Sequence, residues 1–242
     1  MKLGLVAKKF RNNDINFNIH QIVTTAEIYQ NKDIDFLCFG EAFLQGFDGF
    51  TWNSENDEKR ALTKNAVINK LKLVAKNNHV GLAIGYLEKD KTLYYSSYLF
   101  IDNNGNEIYN YRRYTRGWKE HYADARIYQE GNEIGLFKYK NKIIAVGLCG
   151  DFWDNDYDYV KRISMIKKDV VIWPVYVDYS LIDWKNELTA YAKQSSLFGD
   201  RVVLINSLCE NPISHGGCFD FYKGKLLKKI AFDKEAVLLV KI

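Results

Sequence analysis

Short apolar runs of strand character alternate with amphipathic helical stretches, and this alternation occurs twice along the chain in nearly the same order. Residues 3–7 read as a buried strand. Helical spacing follows at Ile15, Ile19, Ile22, Val23 and Ala26, with Asp14 placed as N-cap. Residues 34–39 form the next strand. A second helical stretch over 56–78 carries the stripe Ala66, Val67, Leu71, Val74, Ala75 and leads into strands at 80–87, 93–101 and 107–113. Asp102-Asn103-Asn104-Gly105 is a hairpin turn between the last two. The second round has strands at 134–139 and 142–148, a helix over 156–167 and a strand at 170–174. A long helix over 183–198 and a strand at 202–206 follow, then three closing strand segments at 217–222, 226–232 and 236–242. Each round predicts a mixed sheet with two helices on one face, and such sheets bury their apolar faces by stacking in layers.

Composition agrees with one packed α/β domain spanning residues 1–242. Apolar residues are 47% and aromatic residues 15% of the chain, enough for a sizeable core, and the two prolines, Pro174 and Pro212, mark no linker. The net charge of +4 is spread over short pairs such as Lys8-Lys9 and Lys228-Lys229, which reads as solvated surface and argues against a nucleic-acid partner. Cys38, Cys149, Cys209 and Cys218 form no CxxC pair, and His20, His79, His121 and His215 are scattered, so no metal site is expected. No apolar run approaches the ~20 residues that span a bilayer. Lys8 interrupts the N-terminal apolar run before a signal-peptide core is reached, so a cytoplasmic protein with free thiols is expected.

Residues suited to chemistry lie where strands end, and strand ends open into the crevices where α/β folds bind ligands. Glu41 sits in the apolar, aromatic stretch Phe39-Gly40-Glu41-Ala42-Phe43, where poor solvation raises a carboxyl pKa toward neutrality and suits it to acid–base work. Cys149 ends the apolar run 142–148 and is followed by Gly150-Asp151-Phe152-Trp153, a turn able to present a nucleophilic thiol. Between them, Arg112-Arg113 opens a segment, 114–133, without periodicity. Such long irregular segments are usually functional or mobile. It interleaves Trp118, Lys119, Glu120 and Asp124 with aromatic residues. A base, a cation and a thiol at successive strand ends suffice for thiol attack on a carbonyl or nitrile carbon, with the cation facing the developing oxyanion.

These residues resemble the nitrilase, or carbon–nitrogen hydrolase, superfamily, whose catalytic Glu, Lys and Cys each follow a strand. Gly40-Glu41-Ala42-Phe43 with Gly46-Phe47 is similar to its glutamate motif, and Val146-Gly147-Leu148-Cys149-Gly150-Asp151 to its cysteine motif. Trp173-Pro174, the helix from Trp184, the strand ending at Asn206 and Gly216-Gly217-Cys218 match later landmarks. The resemblance implies a four-layer α-β-β-α sandwich and no metal or organic cofactor. It also implies a homodimer or higher homo-oligomer acting on a small amide or carbamoyl compound through a Cys149 thioester. The family lysine follows Tyr-Arg, and here that position is Arg113; Asp124 stands where many members carry a second glutamate. Arginine stays charged but does not shuttle a proton. Three alternatives follow: Arg113 serves as the cation, Lys119 reaches in from the loop, or the site binds without turnover. Trp118, Trp153, Tyr176 and Asp124 are the expected pocket residues.

Overall fold

The computed structural model describes residues 1–62, 66–153 and 158–242. The first sheet contains β1 (Lys2–Ala7), β2 (Phe36–Cys38), β3 (Gly81–Asp90), β4 (Leu93–Ile101), β5 (Glu107–Arg112) and the last strand, β12 (Ala236–Lys241). The second contains β6 (Gly135–Tyr139), β7 (Lys142–Val146), β8 (Val170–Val175), β9 (Arg201–Glu210), β10 (Ile213–Tyr222) and β11 (Lys225–Lys229). Their orders, β12-β1-β2-β3-β4-β5 and β6-β7-β8-β9-β10-β11, follow one plan. Three parallel strands stand at the centre of each, β1-β2-β3 and β7-β8-β9, with antiparallel strands on both sides.

The sheets stack face to face between helices, giving a four-layer α-β-β-α sandwich. The largest core cluster joins Leu5, Phe36, Tyr98 and Phe100 of the first sheet to Ile144, Ile172 and Leu204 of the second. Helices α1 (Ile15–Tyr29) and α3 (Ala66–Asn78) bury Ile19, Ile22, Ala26, Ile68 and Leu71 in a separate cluster with Leu37, Leu82 and Leu99. Asp14 caps α1 as the spacing predicts, its Oδ1 accepting from Phe17 N at 3.0 Å. On the second sheet lie α4 (Tyr159–Ser164) and α5 (Leu181–Ser195), which contribute Tyr159, Ile163, Trp184 and Tyr191 to the largest cluster. No helix among the described residues is long and apolar enough to cross a membrane.

Three features differ from the expectation. The predicted helix over 56–78 divides into α2 (Ser54–Asp57) and α3, because Leu62 leaves the helical path to bond with β3. Its N–H donates to Leu87 O and its carbonyl accepts from Lys89 N, both at 3.0 Å. Residues 63–65 of that prediction, and 156–157 of the predicted helix 156–167, lie outside the described residues. The helix within 158–167 is also shorter than expected: α4 ends at Ser164, and Lys168 Nζ takes the carbonyls of Ile163 and Ile166. Finally, the last strand does not stay with the second round. It pairs with β1, from Lys2 against Lys241 to Ala7 against Ala236, and covers a strand edge that would otherwise lie open.

Candidate active site

Glu41 follows β2 in a turn pressed onto β3. Gly85 of β3 makes this possible, since a Cβ there would lie 2.4 Å from Ala42 N and Gly40 O. Buried Gln45 fastens the turn, donating to Leu87 O (2.8 Å) and accepting from Leu87 N (2.9 Å). Arg113 follows β5, and its N–H donates to Ser96 O at 2.8 Å. Cys149 stands three residues beyond β7 at φ 39°, a left-handed conformation that a non-glycine residue adopts only when its surroundings enforce it. Trp173 Nε1 donates to Cys149 O at 3.0 Å and holds that turn from β8.

The three strand ends converge. Arg113 Nη1 lies 2.9 Å from Glu41 Oε1, both side chains being buried, and Ser96 Oγ lies 3.4 Å from the same oxygen. Arg113 Nε donates to Thr115 Oγ1 at 3.3 Å. Its Nη2 packs on Gly150, where a Cβ would come within 2.5 Å. Glu41 Oε2 is buried without a hydrogen-bond partner. Burial raises the Glu41 carboxyl above its ordinary value, and the Arg113 charge opposes this. Burial also pushes the Cys149 thiol up to about 12, with the Glu41 charge adding to the shift and Arg113 opposing it. The thiol thus holds its proton more tightly than a free cysteine, and the nearby carboxylate has a raised proton affinity and a free oxygen.

Asp151 binds two of these strand ends together. Its Oδ2 accepts from Leu148 N (2.8 Å) and Tyr111 OH (2.6 Å), and its Oδ1 from Tyr114 N (3.1 Å) and Thr115 N (2.8 Å). One buried carboxylate thus fixes the Cys149 turn against the segment carrying Arg113. Asp151 lay within the cysteine motif, but nothing in the sequence marked it as this link.

The expected pocket residues separate into two groups. Trp153 and Tyr176 line a cavity of about 400 Å³ that opens onto Cys149. Trp118 does not; it is buried in a satellite cluster, 5.8 Å from Trp52 and 6.4 Å from Phe50 between ring centroids. Lys119 does not reach Glu41 or Cys149 either. Its buried ammonium is held by Glu130 at 2.6 Å and by the Tyr128 carbonyl, so the cation against Glu41 is Arg113. Asp124 is a loop acid paired with exposed Arg126 at 2.8 Å, and hydrogen bonds from Arg126 bring its carboxyl down to about 2. Sequence reasoning missed Asp178, Glu187 and Tyr191, which also line the Cys149 cavity. Glu187 and Tyr191 stand four apart on α5 and so share a face, but periodicity alone does not say what that face meets.

The sequence matches the carbon–nitrogen hydrolase family over residues 3–205. A stretch of 132 residues is 29% identical to an aliphatic nitrilase of Rhodococcus rhodochrous, covering 49% of this chain and 33% of that enzyme. Among solved structures, a mutant of the amidase from Nesterenkonia sp. AN1, with the acetamide moiety of fluoroacetamide covalently added at its active-site cysteine, superposes with a TM-score of 0.81. It is 13% identical, with 100% of this chain and 90% of that one covered. The glutamine-dependent NAD+ synthetase from Acinetobacter baumannii gives a TM-score of 0.77 at 18% identity, covering 98% of this chain and 44% of that one. The chain therefore spans less than half the length of the nitrilase and of the synthetase it matches. With this match over residues 3–205 and its twin six-stranded sheets, the chain belongs to the carbon–nitrogen hydrolase family of the nitrilase superfamily.

Proposed function

We propose that the chain is a thiol amidohydrolase that cleaves a non-peptide C–N bond of a small amide or carbamoyl compound, with residues 1–242 acting as one domain. The observation that carries this reading is the buried contact of Glu41 and Arg113 beside a cavity-lining thiol. Glu41 Oε2 accepts the Cys149 proton as sulfur attacks the carbonyl carbon. The tetrahedral intermediate collapses with cleavage of its C–N bond, and the proton held by Glu41 passes to the leaving nitrogen. Water, deprotonated by Glu41, then attacks the thioester; the acid is released and the thiol regains its proton. Arg113 stays charged throughout. It holds Glu41 in place and supplies positive charge close to the developing oxyanion, while proton movement falls to the carboxylate.

The similar amidase, with its active-site cysteine, supports an amide as the substrate class. Ammonia release from a panel of small primary amides tests the reading. Glu41→Gln is expected to lower hydrolysis by ~10²–10⁴, and Cys149→Ala to abolish it; full turnover by Cys149→Ala sinks the proposal. A second reading, a binding protein without turnover, is favoured by Arg113 standing where the resemblance puts the family's lysine. It predicts no product from any amide and a Cys149 thiol whose reaction with iodoacetamide is unaffected by Glu41→Gln. Acyl transfer to an amine instead of water is separated from hydrolysis by product analysis with a competing amine.

A further inference from the structure

We propose that the Cys149 cavity selects amides or carbamoyl compounds whose far end carries a positive charge, an ammonium or guanidinium group. The inference rests on the amidohydrolase reading of the same site. Cys149 lines the cavity together with the aromatic rings of Trp153, Tyr176 and Tyr191. Its remaining charged residues among the described residues are two carboxylates, Asp178 and Glu187, with no lysine or arginine. In a chain with net charge +4 this is a local inversion of sign.

Both acids are exposed, and neither has an ion-pair or hydrogen-bond partner among the described residues. Their neighbours are anchored. Val177, next to Asp178, is clamped on both sides of its backbone: Asn206 Oδ1 accepts from Val177 N at 3.0 Å, and Val177 O accepts from Asn206 Nδ2 at 2.9 Å and Ser214 Oγ at 2.7 Å. Glu187 and Tyr191 present one face of α5, and Tyr191 is fixed by an edge contact to Trp153, 5.0 Å between centroids. Negative charge continues to exposed Asp48, whose carboxyl is raised by partial desolvation and by the Asp178 charge, against a hydrogen bond from Asn12. Fully buried Glu41 is not part of the cavity lining and keeps an unpartnered oxygen. Aromatic faces and uncompensated carboxylates attract cations and reject anions, while the electrophilic end of the substrate meets Cys149.

The experiment compares kcat/KM for butanamide, its ω-amino derivative and succinamate, which share a four-carbon frame and differ in terminal charge. The expected result is a preference for the amino compound over butanamide of about tenfold, smaller at high salt, with succinamate poorest. In the Asp178→Asn, Glu187→Gln double variant the ratio of amino compound to butanamide falls to about one. A ratio near one in the unaltered protein, preference for succinamate, or a ratio untouched by the double substitution overturns the proposal. A second measurement needs no turnover: protection of Cys149 from alkylation by iodoacetamide, followed by mass spectrometry. Butylammonium is expected to protect at lower concentration than butanol, and butyrate least. Equal protection, or better protection by butyrate, overturns the inference. Absence of hydrolysis with the protection order intact refutes the amidohydrolase reading and leaves the charge selectivity standing.

Discussion

At the scale of single residues, the site turns on how an arginine is accommodated against Glu41. A guanidinium is broad and planar and needs several partners, whereas an ammonium is a compact point charge. Arg113 has Glu41, Thr115 and, against Nη2, the bare Cα of Gly150. Gly150 does not adopt a positive φ, so it serves here through space and not through backbone freedom. This makes positions 113 and 150 a coupled pair. Gly150→Ala alone is expected to destabilise the fold by ~1–3 kcal/mol, the usual range for overpacking. In an Arg113→Lys background the same change is expected to cost at least about 1 kcal/mol less, within the range for contacting residues. Urea unfolding of the four proteins of the cycle measures this; strictly additive effects refute the accommodation.

At the scale of elements, each part of the site is held by a neighbouring strand and not by its own. Asp151 ties the turn after β7 to the end of β5, and Gln45 ties the turn after β2 to β3. Asn206 of β9 ties the loop after β8. The last is the simplest to test. Asn206→Ala leaves the Val177 N–H without its acceptor and removes one of the donors to the Val177 carbonyl. Buried unpaired backbone groups cost about 1–3 kcal/mol each. The loop carrying Tyr176 and Asp178 should loosen, so a stability loss of ~2–3 kcal/mol is expected together with a rise in KM larger than the fall in kcat. A variant with unchanged KM and unchanged stability shows that the clamp does not shape the cavity.

At the scale of the whole molecule, the first sheet is pinned on its antiparallel side by one buried acid. Glu88 of β3 accepts from Ser97 Oγ of β4 (2.7 Å), Asn110 Nδ2 (3.1 Å), and Arg112 Nε (3.0 Å) and Nη2 (2.8 Å) of β5. Burial works against its charge, but hydrogen bonds from Arg112 and Ser97 outweigh it and hold the carboxyl below its ordinary value of 4.5. A depressed carboxyl contributes stability above its unfolded value and loses it as pH falls through the folded one. Glu88→Gln is expected to cost ~3 kcal/mol at pH 7, since Arg112 loses a buried partner. It should also flatten the dependence of stability on pH below 4.5. An acid unfolding curve as steep as that of the unaltered protein excludes Glu88 as a contributor.

Much of this was legible in the residue pattern. Period 3.6 at Ile15, Ile19, Ile22 and Ala26, with Asp14 before it, specified α1 and its cap. Apolar runs ending at Phe39 and Leu148 placed Glu41 and Cys149 at strand ends, and the doubled order of elements foretold two sheets of one plan. These are local properties, in which a side chain's face follows from its place in its own element. Pairing between elements is not encoded that way. Lys119 and Arg113 are six residues apart on the same irregular segment, and only the folded chain gives one to Glu130 and the other to Glu41. The same holds for β12, whose pattern fits either sheet until β1 offers an open edge. It holds also for Asp178 and Glu187, surface acids by sequence, which tertiary packing sets with Cys149 around one cavity.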